Sequence, residues 1–516
     1  PPKSPTRILA LWKTDTPATF TNIEISPCFC ASSIKLRIDE REDKSISIGS
    51  TSNPALFIVW AIIAALFILF FSLKRLPSRK QDIALEVQEL LKLYAAHPQV
   101  TALDTLLKND TSRNIFLKGL NGSGPAMTIA SLFTKGRGSY VCVLNDQEEA
   151  GYFYHDLMQL TASNEVYFFP SAYRRAIKYG HVDPANEILR TEVLSRLQDP
   201  DASFVIVTYP DALAERVVAR EVLKENTLKI SVGEKLDNMF VSDVLDEYGF
   251  EQVDYVYEPG QYALRGSILD VFSFSYEFPY RIDFFGDEVE TIRTFDVETQ
   301  LSKEKLDSIY IVPEMSKNAK DSTSLLGSLP RNTFIAARDL AWCKERIGSV
   351  WNDDPVVADE ESFADIDQMR KKLVRGEDFL REVLDFRRIH FGARPMGTAD
   401  ATIHFSTQTQ PIYHKNFDRV SESFHKYLDE GYALYILSDQ EKQANRIRMI
   451  FEDRGDNIPF TAVNRTIHEG FADDTLRICF FTDHQLFDRF HKFNLKSDKA
   501  RSGKITLSLK ELNQFS

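Results

Sequence analysis

The sequence predicts an α/β multidomain chain. A mainly parallel sheet domain surrounds a degenerate phosphate loop. It is interrupted by a small α+β domain and followed by a second small α/β domain. Three observations carry this. A short apolar strand, Asn114–Lys118, runs through a glycine loop into an apolar helix. Strand-like and helix-like segments then alternate as far as residue 208. From residue 228 to 312 helical spacing gives way to short strands and turns.

The chain has 516 residues, too many for one core, so about three or four domains are expected. Its net charge of -13 argues against a simple nucleic-acid coat protein, because binding phosphates needs clustered Lys and Arg. The five cysteines, Cys28, Cys30, Cys142, Cys343 and Cys479, show no CxxC pairing. Neither disulfides nor a zinc site is expected.

Residues 1–82 do not match the rest. The first 53 show no sustained helix or strand period. An uninterrupted apolar run from Ala55 to Phe71 follows, and Lys74, Arg75, Arg79 and Lys80 close it. A transmembrane helix over 55–73 would satisfy the length and positive-inside rules, leaving the remainder in the cytoplasm. The alternative is an upstream reading frame joined to a cytoplasmic protein. The second reading is preferred, because everything after Gln81 reads as an ordinary soluble start.

The first sheet domain begins over residues 83–227. Ile83, Val87, Leu90 and Leu91 have helical spacing. Gly119, Gly122 and Gly124 then occupy a phosphate-loop context, with Gly119 and Gly124 at the spacing of Gly-x-x-x-x-Gly-Lys-Ser/Thr. The chemistry is missing. Pro125 stands where lysine would neutralise phosphate, and Ala126 where a hydroxyl would hold magnesium. Pro125 also removes an amide from the anion nest, yet suits the first turn of a helix. The loop is read as architecture without ATP hydrolysis. Gly138–Leu144, Glu165–Phe169 and Ser203–Thr208 read as strands. Asp146–Leu160 reads as a helix, and so does the segment opened by Asp183 and Pro184.

Two runs in the 228–312 segment are distinctive: Arg265 to Phe272 (RGSILDVF) and Tyr280 to Glu290 (YRIDFFGDEVE). Alternation in the second puts Tyr280, Ile282 and Phe284 on one face and Arg281, Asp283 and Phe285 on the other. An arginine and an aromatic beside a charge is the composition of an interaction hot spot. A solvated strand face with one partly covered Phe fits the same pattern.

At these runs the chain resembles the region shared by the excision-repair protein UvrB and the transcription-repair coupling factors, over about 83–516. It fits the coupling factors better. UvrB keeps its phosphate-loop lysine and carries a long DNA-gripping hairpin, whereas here Tyr173–His181 passes directly to the Asp183 helix start. The resemblance implies a RecA-like, UvrB-like fold, with 228–312 as a domain that binds the damage-recognition ATPase UvrA. It implies Arg265, Arg281 and Phe285 as contact residues. It further implies that the whole protein is an ATP-dependent DNA translocase of helicase superfamily 2 that displaces stalled RNA polymerase. RNA polymerase, double-stranded DNA, ATP and Mg²⁺ would then engage domains beyond this sequence. So would an intramolecular contact between the UvrA-binding face and the far C-terminus. This piece is expected to be no enzyme, to need no cofactor and to be cytoplasmic. The alternatives are a UvrB-type helicase with a working phosphate loop and a membrane-tethered interaction protein.

Residues 313–398 are expected to continue the first module as helices. Within 399–493, Thr402–Phe405, Tyr432–Leu437 and Leu476–Phe481 read as strands of the second α/β domain. Asp439 and Asp483 follow apolar strands without the context of a magnesium motif, and are read as turn or cap residues. His404, His414, His484 and His491 lack metal-ligand spacing. Residues 494–516 look like a linker into an RNA-polymerase-interacting domain.

Overall fold

The computed structural model describes residues 86–109, 112–136, 138–161, 165–172, 184–199, 201–313, 322–352 and 370–490, together with three strands before them. Those strands form one unit of their own: β1 (Ile23–Pro27), β2 (Ile34–Ile38) and β3 (Ser45–Ile48), an antiparallel meander. This corrects the expectation of no strand period in the first 53 residues. The sequence does alternate there, as in Ile34-Lys-Leu36-Arg-Ile38, but each run is only four or five residues long. The 55–73 run, Tyr173–His181, Asp183 and the 494–516 segment lie outside the described residues. Among the described residues no helix is long and apolar enough to cross a membrane.

The second unit opens with two helices, α1 (Val87–Ala95) and α2 (Pro98–Lys108). Next come β4 (Asn114–Lys118), the glycine loop and α3 (Gly124–Thr134). Then follow β5 (Tyr140–Val143), α4 (Gln147–Thr161), β6 (Val166–Phe168), α5 (Pro184–Arg196) and β7 (Val205–Thr208). The strands β5, β6 and β7 are buried at every position, as the continuous apolar runs of a parallel sheet covered on both faces require.

The chain then leaves this sheet to build the small domain. Its strands are β8 (Leu228–Ser231), β9 (Glu251–Gln252), β10 (Gln261–Arg265), β11 (Ile268–Val271), β12 (Tyr280–Phe285), β13 (Glu288–Phe295), β14 (Ser302–Leu306) and β15 (Ser308–Ile311). Strands β9 to β14 form a six-stranded sheet in chain order, and β8 pairs with β15. One helix, α6 (Asn238–Glu247), packs Val241 and Leu245 onto Tyr262, Leu269, Ile282 and Phe284.

Returning, the chain adds β16 (Phe334–Ala337), β17 (Arg387–His390) and β18 (Ala401–His404). The first sheet is then seven-stranded and wholly parallel, in the order β18-β4-β17-β16-β5-β7-β6. Two expectations change here. Residues 313–398 supply two sheet strands as well as the helices α7 (Leu340–Asn352) and α8 (Gly376–Val383). The strand at Ala401–His404 belongs to the first sheet, beside β4, and not to the second domain. Short strands of mixed composition, such as Arg387-Arg-Ile-His390, carry no period that reveals them.

The second α/β domain holds β19 (Thr407–Thr409), α9 (Phe417–Asp429), β20 (Ala433–Leu437), α10 (Glu441–Asp453), β21 (Thr461–Val463), β22 (Phe471–Asp473) and β23 (Ile478–Thr482). Its sheet runs β19-β22-β23-β20-β21. Phe471 and Phe480 from this sheet join the large apolar core of the first domain.

Candidate protein-docking face and the glycine loop

The small sheet has two unlike faces. Burial along β12 alternates: Tyr280, Ile282 and Phe284 are buried, Arg281 and Asp283 half-buried, and Phe285 exposed. The apolar side joins Leu269, Val271 and Ile292 in a core with α6. The extra residue Glu290 in β13 absorbs a register shift opposite Asp283 and Phe284.

The polar side is organised around Asp270, which is fully buried. Arg281 sits opposite it in the β11–β12 ladder. Its Nε and Nη2 donate to the two carboxylate oxygens at 2.7 and 2.8 Å. Arg265, on β10, donates to the same carboxylate and to the carbonyl of Asp254 at 2.7 Å. Arg265 lies over the Tyr255 ring and Arg281 over the Phe295 ring. A lone buried carboxylate would be costly, and the forked guanidinium satisfies both oxygens at once. The Asp270 carboxylate in turn holds the Arg281 guanidinium above its already high ordinary pKa.

Two of the three sequence-predicted contact residues are thus tied to each other through Asp270. The third, Phe285, stands clear of them with 78% of its surface exposed. The resemblance had marked Arg281 as a contact. The structure uses its donors internally, on Asp270 and on the Gln300 carbonyl at 3.2 Å. Asp270 was missed. Its signal was an acid inside an apolar strand run, SILDVF, which needs a cation opposite.

The glycine loop lies elsewhere, where β4 meets α3. Gly119 and Gly122 have positive φ, +90° and +52°. Pro125 falls in the first turn of α3, and Pro125 and Ala126 are buried. Two of the loop amides reach the second α/β domain: Asn121 N–H donates to Thr407 Oγ1 at 2.9 Å, and Ser123 N–H to the Glu469 carbonyl at 3.0 Å. Asp156 of α4 lies alongside, fully buried, and accepts the His468 N–H at 2.6 Å. Burial pushes its carboxyl up to about 7.

Asp439 accepts the Thr466 N–H at 3.2 Å, holding the loop after β21. Asp483 follows the actual helix cap, Thr482, and pairs with Arg489 at 3.4 Å. Among the described residues no group of three His, Cys, Asp or Glu side chains stands together as a metal site requires. Cys142, Cys343 and Cys479 are buried free thiols.

Comparison with known proteins points at the small domain. Residues 228–316 match the UvrB interaction domain. The match begins at the residue where the sequence changes character. Over 222 residues the chain is 29% identical to the transcription-repair-coupling factor of Escherichia coli K12, covering 43% of this chain and 19% of that protein. The Haemophilus influenzae factor is 32% identical over 192 residues, 36% of this chain and 16% of its own length. The factor of Staphylococcus aureus RF122 is 22% identical over 489 residues, 78% of this chain and 41% of its own length. The chain therefore spans well under half of these relatives. These matches agree: the chain carries a UvrB interaction domain and is similar to the N-terminal part of the transcription-repair-coupling factors.

Proposed function

We propose that this chain docks UvrA through the polar face of its small domain, and so links excision repair to transcription. The observation that carries the reading is Phe285, a large aromatic 78% exposed on the face where Arg265 and Arg281 pair with Asp270. An exposed ring costs nothing to desolvate and offers about 2 kcal/mol or more when it fills a partner's pocket. Arg265, with 35% of its side chain exposed, supplies the charge on the same face. Arg281 holds the carboxylate that aims Arg265. The match to the UvrB interaction domain supports this partner, and the relatives' names support the link between repair and transcription.

The ATP-driven translocation and RNA-polymerase displacement implied by the resemblance are assigned to sequence outside these residues. The loop at Gly119–Ala126 lacks both the lysine and the magnesium-holding hydroxyl. A co-elution experiment tests the docking reading. The chain mixed with purified UvrA should leave a sizing column as a complex, and the Phe285→Ala chain should not. Equal co-elution of both would remove Phe285 from the interface.

A further inference from the structure

We propose that the glycine loop is a clasp: it seats the second α/β domain, whose own residues fill the space a nucleotide's phosphates would need. A phosphate cradle works by pointing unpaired amides at an anion. The Asn121 amide is taken by Thr407 Oγ1 at 2.9 Å and the Ser123 amide by the Glu469 carbonyl at 3.0 Å. The Gly124 amide turns back to the Asn121 carbonyl at 3.0 Å, and Pro125 has none.

The contacts are reciprocal. Glu469 N–H donates to Ser123 Oγ at 3.0 Å, Asn121 Nδ2 to the Thr407 carbonyl at 2.7 Å, and Thr407 Oγ1 to the Gly119 carbonyl at 2.8 Å. The fit is close enough to explain two glycines. A Cβ on Gly122 would stand 2.9 Å from the Gly470 carbonyl oxygen, and one on Gly119 would overlap the Phe405 carbonyl. The local field also opposes an anion, since Glu469 brings an acidic side chain beside Asp156 at the loop.

Two further contacts brace the clasp. The His468 ring stacks on Tyr152 at 3.6 Å between centroids. His97 Nδ1 accepts the Gln99 N–H, so Nε2 carries the proton toward Asp473, 3.1 Å away, both side chains being fully buried. The loop's geometry thus serves a domain joint, and the absent lysine and hydroxyl are only part of why nucleotide has no place there.

Hydrogen exchange on the intact chain, read by mass spectrometry, tests this. In the unaltered chain, peptides covering 119–124 and 466–471 should be protected like β5 and β7, and Mg²⁺-ATP should leave them unchanged. In an Asn121→Ala/Ser123→Ala variant both should exchange faster by about tenfold or more, as loss of the clasp's hydrogen bonds implies, while β5 and β7 hold. The proposal is overturned if 119–124 exchanges at the free-peptide rate in the unaltered chain, or if Mg²⁺-ATP slows it. It is overturned equally if the variant leaves 466–471 protected or loosens the whole chain uniformly. Should the variant not fold, the two measurements on the unaltered chain still decide.

Discussion

Asp270 and Arg281 face each other across β11 and β12, the acid fully buried and the guanidinium gripping both of its oxygens at 2.7 and 2.8 Å. This pair is structural before it is functional. Arg281→Ala would leave a buried carboxylate with only Arg265 beside it. The small domain should lose about 3 kcal/mol, the low end for breaking a buried ion pair. Urea unfolding followed by a probe in 228–312 checks this. A loss under 1 kcal/mol would mean that water or Arg265 replaces the pair.

Phe285→Ala should behave oppositely. The ring is mostly in solvent, so stability should stay within about 0.5 kcal/mol of the unaltered chain. The same denaturation curves measure it. A larger loss would show that the ring packs on its neighbours.

Asp156 should make the chain less stable as pH rises. Its carboxyl is pushed up to about 7, mainly by burial, so the folded state binds its proton more tightly than the unfolded state does. That stabilisation is complete below the ordinary carboxylate range. It is lost progressively as pH climbs to about 7, and on the order of 2–4 kcal/mol is at stake. Asp296 runs the other way, held at about 2 mainly by Lys303. Comparison with Asp156→Asn therefore isolates the effect. The variant should match the unaltered chain near pH ~3 and exceed it in melting temperature at pH ~8. Parallel melting curves across that window would contradict the assignment.

His97→Ala should loosen the joint between the two sheet domains. Asp473 would keep the N–H groups of Thr475 and Leu476, each 3.0 Å away, and lose the buried imidazole of His97 between α1 and α2. A cost of about 1–3 kcal/mol is expected for the deserted buried acceptor. Limited proteolysis between β18 and α9 should accelerate. Unchanged cleavage would show the joint to be held by packing alone.

Much of the first domain was legible because parallel strands buried on both faces are plain apolar runs. Tyr140–Val143 and Val205–Thr208 could be read directly. The face of β12 was legible because a period of two survives even where one side is charged. What stayed hidden depended on distant pairing. No local signal places Arg387–His390 between β4 and β16, or brings Glu469 to a loop 346 residues earlier. Asp270 was hidden for the same reason. Its partner is 11 residues away in sequence, and only the strand register sets them opposite.

The most direct test of the docking account is calorimetric titration of UvrA into the unaltered chain and into Phe285→Ala. The account predicts binding by the first. For the second it predicts a loss of at least about 2 kcal/mol, roughly thirtyfold in affinity, at unchanged melting temperature. Binding of equal strength by both chains, or none by a folded unaltered chain, would contradict it.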